Sequence, residues 1–362
     1  MTAPGSVRVL LCDDSATARG AMARVLATDP AILVVGRVAD GRAAIEAVTT
    51  LAPDVVLLDL EMPVMDGMTA LPLLLRAAPR TAVIVASALT QRGAAAAMAA
   101  LRAGAADYVP KPSAAQGGMH DPAFREELLA KVKGWARMRA KRAAPVPLAR
   151  PAVAQPVGPR PRAIGIGSST GGPQALAALV RRLSPPPRVP MLLVQHMPEG
   201  FTTMLADHLN RLGGPPTAEA RDGEPLLPGR LYVAPGDHHL LAERDHAGGL
   251  VARITQGPPE NFCRPAVDPM LKSLLKACDG RLLAVILTGM GQDGLVGCRA
   301  VAAAGGTVIA QDEASSVVWG MPGAVARAGL PALLAPPEAL ADRMMALCAG
   351  EAAPGVRAAL RA

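Results

Sequence analysis

A strand that runs directly into a glycine-rich turn lies deep in this chain of 362 residues. The strand reads Ala163-Ile-Gly-Ile-Gly167, and the turn continues as Ser-Ser-Thr-Gly-Gly172. The Gly-x-Ser-x-Gly pattern places Ser169 between a strand and a helix, where a nucleophile is common. Because the preceding residues already account for one α/β domain, this turn predicts the start of a second domain.

The first domain is predicted over residues 1–138 as a doubly wound parallel sheet, because apolar strands alternate with helix-like segments. We expect five strands: Val7–Cys12, Ile32–Val38, Val55–Asp59, Thr81–Ser87 and a short strand that begins at Asp107. A helical stripe would close this domain, formed by Phe124, Leu128, Val132 and Trp135.

The second domain is predicted over residues 162–350, as a doubly wound and mostly parallel α/β fold. Strands are expected at Ala163–Gly167, Met191–Gln195, Leu231–Ala234, Leu282–Leu287 and Thr307–Ala310, with helices after Gly171, Gly200, Pro265, Asp293 and Pro337. The segment His239–Thr255 predicts an antiparallel hairpin inserted in the sheet, because Gly248-Gly249 separates two apolar stretches. Residues 139–161 are basic and rich in Pro and Ala, which is typical of a linker. Residues 351–362 are expected to form a flexible tail.

The net charge of +7 is concentrated in the linker region rather than spread over the domains. Seven basic residues in a stretch without acidic residues account for the excess: Arg137, Arg139, Lys141, Arg142, Arg150, Arg160 and Arg162. With only 2% aromatic residues, stacking platforms for nucleic acid are scarce, so no nucleic-acid partner is expected.

Cellular location is predicted from what the chain lacks. It has no apolar run long enough to span a bilayer and no signal peptide, so we expect a cytoplasmic protein without membrane insertion. The five cysteines show no C-x-x-C spacing and are expected to be reduced, mostly buried thiols.

An acidic cluster is predicted in the first domain. Asp13, Asp14 and Asp59 each follow a parallel strand, and such strand ends meet at one edge of the sheet. Three carboxylates would repel each other there unless a hard cation such as Mg²⁺ lay among them. Ser87 and Lys111 end the fourth and fifth strands, and a hydroxyl and an ammonium suit a transferred phosphoryl group. One aspartate alone could be a helix N-cap, but five matching positions favour a phosphoryl site.

The glycine turn of the second domain has two phosphate-binding interpretations, and both are disfavoured. A dinucleotide fold needs a third glycine where Thr170 stands, and an acid at the end of the next strand. A P-loop needs a lysine, and none follows Gly172. A hydrolase is favoured instead, because His196 ends the neighbouring strand and could accept the proton of Ser169. The other histidines lie in a helix pattern, in the hairpin or in the first domain, and fit less well.

A third candidate follows the strand Leu282–Leu287, where a glycine-rich turn brings Asp293 to the same sheet edge. Its carboxylate could orient the imidazole of His196, although it could also be only an N-cap. The order Ser, His, Asp differs from the order Ser, acid, His of α/β-hydrolases. The backbone N–H groups of Thr170 and Met290 are candidates for holding an oxyanion.

The first domain resembles the response-regulator receiver domain, a flavodoxin-like fold. The motifs are Asp13-Asp14, Asp-Leu-Glu-Met-Pro-Val-Met-Asp-Gly from Asp59, then Ser87 and Lys111-Pro112. The resemblance implies that Asp59 is the phosphoacceptor. It also implies that Asp14, Asp59 and the carbonyl of Glu61 hold Mg²⁺ directly, that Asp13 acts through water, and that Lys111-Pro112 forms a cis-proline turn.

The second domain resembles the CheB-type protein-glutamate methylesterases of bacterial chemotaxis. The motifs are Gly-Ser-Ser-Thr-Gly-Gly-Pro, Gln-His-Met-Pro, Val-Ala-Pro-Gly-Asp-His-His, Arg-Pro-Ala-Val-Asp, Leu-Thr-Gly-Met-Gly-Gln-Asp-Gly and Val-Val-Trp-Gly-Met-Pro. Ser168 replaces an alanine and Trp319 a smaller aromatic residue of relatives. Neither difference disturbs the candidate catalytic triad of Ser169, His196 and Asp293.

This second resemblance implies an enzyme that hydrolyses glutamate γ-methyl esters on chemoreceptors and deamidates receptor glutamines, with no cofactor in its catalytic domain. A histidine kinase would phosphorylate the receiver, which in its unphosphorylated form would cover the active-site face. Two alternatives stay open. One is an esterase of a chemosensory system that controls something other than motility. The other is a response regulator with a non-enzymatic binding output, although no helix-turn-helix or basic face is visible in the C-terminal half.

Overall fold

The computed structural model describes residues 6–111, 118, 121–141 and 159–350. The chain divides into two compact units, residues 1–147 and residues 148–362. Three sequence predictions lie outside the described residues: the cis-proline turn at Pro112, most of the linker, and the C-terminal tail. Within the described ranges, no helix combines the length and the apolar character that a membrane crossing needs.

The first unit is the predicted five-stranded parallel sheet, with strand order β2-β1-β3-β4-β5. Its strands are β1 (Val7–Cys12), β2 (Ile32–Val38), β3 (Val55–Asp59), β4 (Ala82–Ala88) and β5 (Asp107–Lys111). Its helices are α1 (Ala16–Leu26), α2 (Gly41–Leu51), α3 (Gly67–Ala77), α4 (Gln91–Arg102) and α5 (Pro122–Lys141). All five residues of β3 are buried, as expected for a central parallel strand covered on both faces.

Side-chain caps explain where the first four helices begin. Ser15, Asp40, Asp66 and Thr90 each accept a hydrogen bond from a backbone N–H three residues further along the chain. The predicted stripe on α5 is confirmed, since Phe124, Leu128 and Val132 pack in the core of this unit. The helix also extends past the predicted domain boundary at residue 138.

The second unit is built on a seven-stranded parallel sheet with the order β14-β13-β12-β6-β7-β9-β8. Its elements, in chain order, are β6 (Ala163–Ser168), α6 (Gly172–Arg182), β7 (Met191–Gln195), α7 (Phe201–Asn210), β8 (Thr217–Glu219), β9 (Leu231–Val233), β10 (His239–Arg244), β11 (Leu250–Thr255), α8 (Val267–Ala277), β12 (Leu282–Ile286), α9 (Leu295–Ala303), β13 (Thr307–Gln311), α10 (Met321–Arg327), β14 (Leu333–Ala335) and α11 (Pro337–Ala349). Strands β8 and β14, of three residues each, and helix α10, of seven, are not among the elements predicted from the sequence.

The predicted hairpin is present, but its predicted place in the main sheet is wrong. Strands β10 and β11 form a separate two-stranded antiparallel sheet. Leu240 and Ala242 are buried in the core cluster that also contains Leu271 and Leu274 of α8. The hairpin therefore covers α8 with its apolar face instead of extending the parallel sheet.

The central strand β6 lies between β7 and β12, so the chain leaves it on one side and later returns on the other. Such a topological switch point opens a crevice at the carboxyl ends of the strands. Gly165 and Gly167 let α8 approach β6 closely, because a Cβ at these positions would lie 2.6 Å from Leu271 and 2.7 Å from Val267. The first turn of α8 is thus held at this crevice.

Candidate active site and acidic pocket

Ser169 is the first residue after β6, on a turn that the backbone and glycines fix. Its N–H donates to the carbonyl of Thr288 (3.0 Å), and its carbonyl accepts from the N–H of Gly172 (2.8 Å). Gly171 has a φ of +75°, and a Cβ there would lie 2.5 Å from Val317, so only glycine fits. The Ser169 side chain is half-buried, and no described residue forms a hydrogen bond with its hydroxyl.

Gln195, the last residue of β7, joins the serine turn to the end of this neighbouring strand. Its Oε1 accepts from the hydroxyl of Ser168 (2.7 Å), and its Nε2 donates to the carbonyl of Ser169 (2.9 Å). The side chain is buried, and a Cβ at Gly172 would lie 1.9 Å from Oε1. Because His196 follows Gln195 directly, this contact fixes the serine turn relative to the histidine.

His196 and Asp293 are joined by a hydrogen bond of 2.8 Å between imidazole Nε2 and carboxylate Oδ2. A carboxylate can only accept, so Nε2 carries the hydrogen and Nδ1 of the neutral ring is the basic nitrogen. The thiol of Cys263 lies 3.5 Å from this Nδ1.

Asp293 is almost fully buried and accepts further hydrogen bonds on both oxygens. The donors to Oδ2 and Oδ1 include the backbone N–H groups of Val267 (2.6 Å), Asp268 (3.2 Å) and Gly294 (2.8 Å), and Nδ2 of Asn261 (3.0 Å). Val267 and Asp268 open helix α8, whose positive end stabilises a carboxylate. The acid is therefore held ionised and in one orientation.

The pKa values of Asp293 and His196 are shifted in opposite directions. Burial raises the pKa of Asp293, but the hydrogen bonds from His196 and the backbone outweigh it and the net pKa lies below its usual range. Burial lowers the pKa of His196, but the hydrogen bond to Asp293 and the contact with Cys263 outweigh it and the net pKa is raised. Each partner thus stabilises the charged form of the other, which suits an imidazolium that forms when His196 accepts a proton.

Two backbone loops flank Ser169 and carry the predicted oxyanion donors. The hydroxyl of Thr288 donates to the carbonyl of Thr170 (2.9 Å), and a Cβ at Gly289 would lie 2.8 Å from Cβ of Ser169. Across the described ranges, no acceptor takes the N–H of Thr170 or that of Met290. Both groups are therefore available to a ligand beside the serine.

The structure brings His196 and Asp293 together and places both at the sheet edge of Ser169, although the serine hydroxyl is not bonded to His196. His239 has a structural role, because its ring contacts the carbonyl of Pro258 and the N–H of Ala266. Sequence reasoning missed three further residues of the site: Gln195, Asn261 and Cys263. Gln195 had a signal, a polar residue ending an apolar strand, whereas the other two lie on a loop without any.

The acidic cluster of the first unit forms a pocket. Carboxylate oxygens of Asp13, Asp14 and Asp59 lie within 4.8 Å of one another. Nζ of Lys111 lies 2.8 Å from Oδ2 of Asp13 and 2.6 Å from Oδ2 of Asp59. The hydroxyl of Ser87 is buried and has no hydrogen-bond partner in the described part of the chain. The structure thus brings these five residues together at one edge of the sheet, and their role as a phosphoryl site stays a prediction.

The pocket has a volume of about 310 Å³, and Asp14, Asp59, Glu61, Ser87 and Lys111 are among its lining residues. Burial raises the pKa of Asp59 above its usual range, despite the opposing effect of Lys111. Burial lowers the pKa of Lys111, but its bonds to two carboxylates outweigh this and raise it. Oxygen ligands in a charged, partly open pocket suit Mg²⁺, and an unpaired buried hydroxyl suits a phosphoryl oxygen.

Known proteins resemble this chain along nearly all its length. A family model described as CheB methylesterase matches residues 164–344, and one described as response regulator receiver domain matches residues 9–120. The protein-glutamate methylesterase/protein-glutamine glutaminase of Azospirillum brasilense is 52% identical over 348 residues, covering 90% of this chain and 88% of the relative. The corresponding protein of the group 2 operon of Rhodospirillum centenum is 47% identical over 376 residues, covering 96% and 95%.

A solved structure supports the predicted fold of the second domain. The crystal structure of the Thermotoga maritima CheB methylesterase catalytic domain is 38% identical and has a TM-score of 0.50, covering 52% of this chain and 98% of that chain. The resemblance drawn from the motifs is thereby confirmed. The chain belongs to the CheB methylesterase family, and it carries a response regulator receiver domain ahead of its methylesterase domain.

Proposed function

We propose that this protein is a protein-glutamate methylesterase that also deamidates protein glutamines, the two activities that the names of its relatives state, and that phosphorylation of its receiver domain activates it. The observation that carries the proposal is the convergence of Ser169, His196 and Asp293 at the ends of adjacent strands, with the histidine and the acid joined at 2.8 Å. A response regulator whose second domain only binds a partner would not need a serine, a histidine and an acid in this arrangement.

In the proposed reaction, Nδ1 of His196 accepts the proton of Ser169 while Oγ attacks the ester carbonyl. Nδ1 is the base because Nε2 is committed to Asp293, which stabilises the imidazolium that forms. The imidazolium then gives its proton to the leaving methanol. Water attacks the acyl-enzyme with His196 again as the base, which releases the glutamate and restores Ser169. With a glutamine amide, the same steps release ammonia.

Negative charge on the carbonyl oxygen is stabilised by the N–H groups of Thr170 and Met290 in this mechanism. Each such donor contributes on the order of 10²-fold or more to the rate. The mechanism requires a hydrogen bond between Ser169 and His196 that forms when substrate binds, because catalytic hydrogen bonds are often completed only in the complex.

In the receiver domain, Asp59 is the proposed phosphoacceptor and a chemosensory histidine kinase is the proposed phosphodonor. Asp13, Asp14, Asp59 and the carbonyl of Glu61 would hold Mg²⁺, which neutralises negative charge on the transferring phosphoryl group. Lys111 adds positive charge beside Asp59, and the hydroxyl of Ser87 donates to a phosphoryl oxygen. Phosphorylation raises the esterase rate by shifting the receiver between two states.

The proposed substrates are cytoplasmic segments of methyl-accepting chemoreceptors, which places the enzyme in the cytoplasm. A strain that lacks this protein should accumulate methyl groups on the receptors it serves, whether their pathway controls motility or another output. Mass spectrometry of receptor peptides from that strain and its parent identifies these receptors and the modified glutamates.

The decisive test is Ser169→Ala in an assay of methanol release from methylated receptors. Loss of the nucleophile should lower kcat by at least about 10³-fold, because only binding and the oxyanion donors remain. Circular dichroism of parent and variant controls for folding. A rate within a few-fold of the parent's would refute the triad.

A further inference from the structure

A tight turn from Glu260 to Cys263 lies beside the candidate triad. The two end residues exchange both backbone hydrogen bonds, at 2.9 and 3.2 Å. The central residues Asn261 and Phe262 have φ values of 53° and 62°, the pattern of a type I′ turn. Asparagine tolerates this left-handed conformation, but a bulky aromatic residue rarely adopts it. Phe262 is therefore a strained choice at a position where glycine would be preferred.

Phe262 also exposes its entire side chain, with a relative accessibility of 105%. No other large apolar residue in the described ranges is as exposed, the next being Val64 at 81%. The ring thus adds no packing that would offset the backbone strain. Strained backbone that the fold does not need is concentrated at ligand-binding and catalytic sites.

The turn is fastened directly to the catalytic groups. Nδ2 of Asn261 donates to Asp293 (3.0 Å) and to Asp268 (3.1 Å). On the other side of Phe262, the thiol of Cys263 lies 3.5 Å from Nδ1 of His196. An ion pair of 2.9 Å between Lys272 and Glu260 ties the start of the turn to helix α8. The backbone of Phe262 is consequently held in a fixed position at the rim of the site, with its ring exposed.

We propose that the ring of Phe262 packs against apolar surface of the substrate polypeptide, beside the glutamate that is modified. This inference rests on the proposed function, because the occupant is the protein that presents the ester to Ser169. A polypeptide whose side-chain ester reaches the site must pass close to a turn whose neighbours contact His196 and Asp293. Aromatic rings that are rigidly held and exposed are typical anchors of protein recognition. The ring contributes to binding of the polypeptide, whereas the ester itself is handled by the triad and the oxyanion donors.

The test compares Phe262→Gly, Phe262→Leu and the parent, each as the full chain with a phosphodonor. Leu227→Ala is the matched control, since Leu227 is an exposed apolar side chain (48%) outside the site. Methanol release is measured from methylated receptor and from a small soluble glutamate γ-methyl ester. For Phe262→Gly, the receptor KM should rise at least about tenfold, which corresponds to about 1.4 kcal/mol, with kcat within a few-fold. The ratio of receptor to small-ester kcat/KM should fall by the same factor.

Thermal unfolding separates a recognition role from a structural one. Phe262→Gly creates the preferred Asn-Gly turn, so its melting temperature should rise while its receptor activity falls. Phe262→Leu should retain most of the receptor affinity, and Leu227→Ala should leave the ratio at the parent value.

Three results would overturn the inference. The first is a receptor KM within twofold of the parent's in Phe262→Gly. The second is an equal loss on both esters, which would indicate a structural role. The third is a raised rate without phosphodonor, which would assign the ring to a contact within the chain. If the parent hydrolyses neither ester, the proposed function itself fails and this inference fails with it.

Discussion

Replacing Asp293 by asparagine should remove most of the esterase activity while keeping the shape of the site. Oδ1 of Asp293 accepts from Asn261, Asp268 and Gly294, whereas Oδ2 accepts from Val267 and His196. The amide NH₂ of an asparagine clashes with every donor that it faces. It will therefore turn toward the side with two donors, which is the side of His196.

In that orientation the amide donates to Nε2 of His196, so the ring hydrogen moves to Nδ1. Nδ1 can then no longer accept the proton of Ser169, and kcat should fall by about 10⁴-fold, the size of a wrong-tautomer effect. The N–H of Val267 also loses its buried acceptor, at a cost of about 1–3 kcal/mol. Loss of the negative charge at the start of α8 costs about 0.3–1 kcal/mol more.

The assays are methanol release at neutral pH for kcat and urea unfolding over a series of pH values for stability. The stability difference between parent and variant should shrink below about pH 4, because the stability that comes from the lowered pKa of Asp293 is fully present above the unfolded pKa and is lost as pH falls toward the folded pKa. It should also shrink as pH rises through the raised pKa of His196, since that contribution is fully present only below the unfolded value. A variant kcat within tenfold of the parent's would refute the tautomer reasoning.

Three further predictions concern single contacts. Cys263→Ala removes an interaction that raises the pKa of His196, so the acidic limb of the kcat/KM profile should move to lower pH; an unmoved limb would show that the thiol does not influence the base. Gln195→Ala leaves the buried Ser168 hydroxyl without its partner and should lower the free energy of unfolding by about 1–3 kcal/mol in urea titrations. It should also lower kcat, because Gln195 holds the carbonyl of Ser169; an unchanged kcat would show that this contact does not support catalysis. Asp59→Asn should retain basal esterase activity but lose stimulation by a small phosphodonor, and persistent stimulation would reject Asp59 as the phosphoacceptor.

The strand ends could be located from sequence because apolar runs bounded by glycine and polar residues are strong local signals. Parallel strands bring their carboxyl ends to one edge, so Ser169, His196 and Asp293 could be grouped without coordinates. Their catalytic roles are still predictions. The position of the hairpin β10–β11 could not be read in this way, because it depends on how well its apolar face fits α8.

The partners of the catalytic acid show a second limit of sequence reasoning. Asn261 and Cys263 lie in a tight turn between β11 and α8, where no periodic pattern marks a residue as functional. Their contacts with Asp293 and His196 arise only when helix α8 docks on the sheet. Such long-range partners depend on tertiary packing, which short sequence windows do not contain.

The two glycines of β6 have a consequence for how this enzyme can change. They set how closely α8 lies on the sheet, and α8 in turn donates to the catalytic acid through Val267 and Asp268. A single added methyl group at Gly167 would push against Val267 and displace both donors from Asp293. Such a variant would present itself as a loss of catalytic base strength, although it alters no polar group. The base strength of His196 therefore depends partly on two core glycines that lack a side chain. A search for active-site mutations that considers only polar residues would miss them.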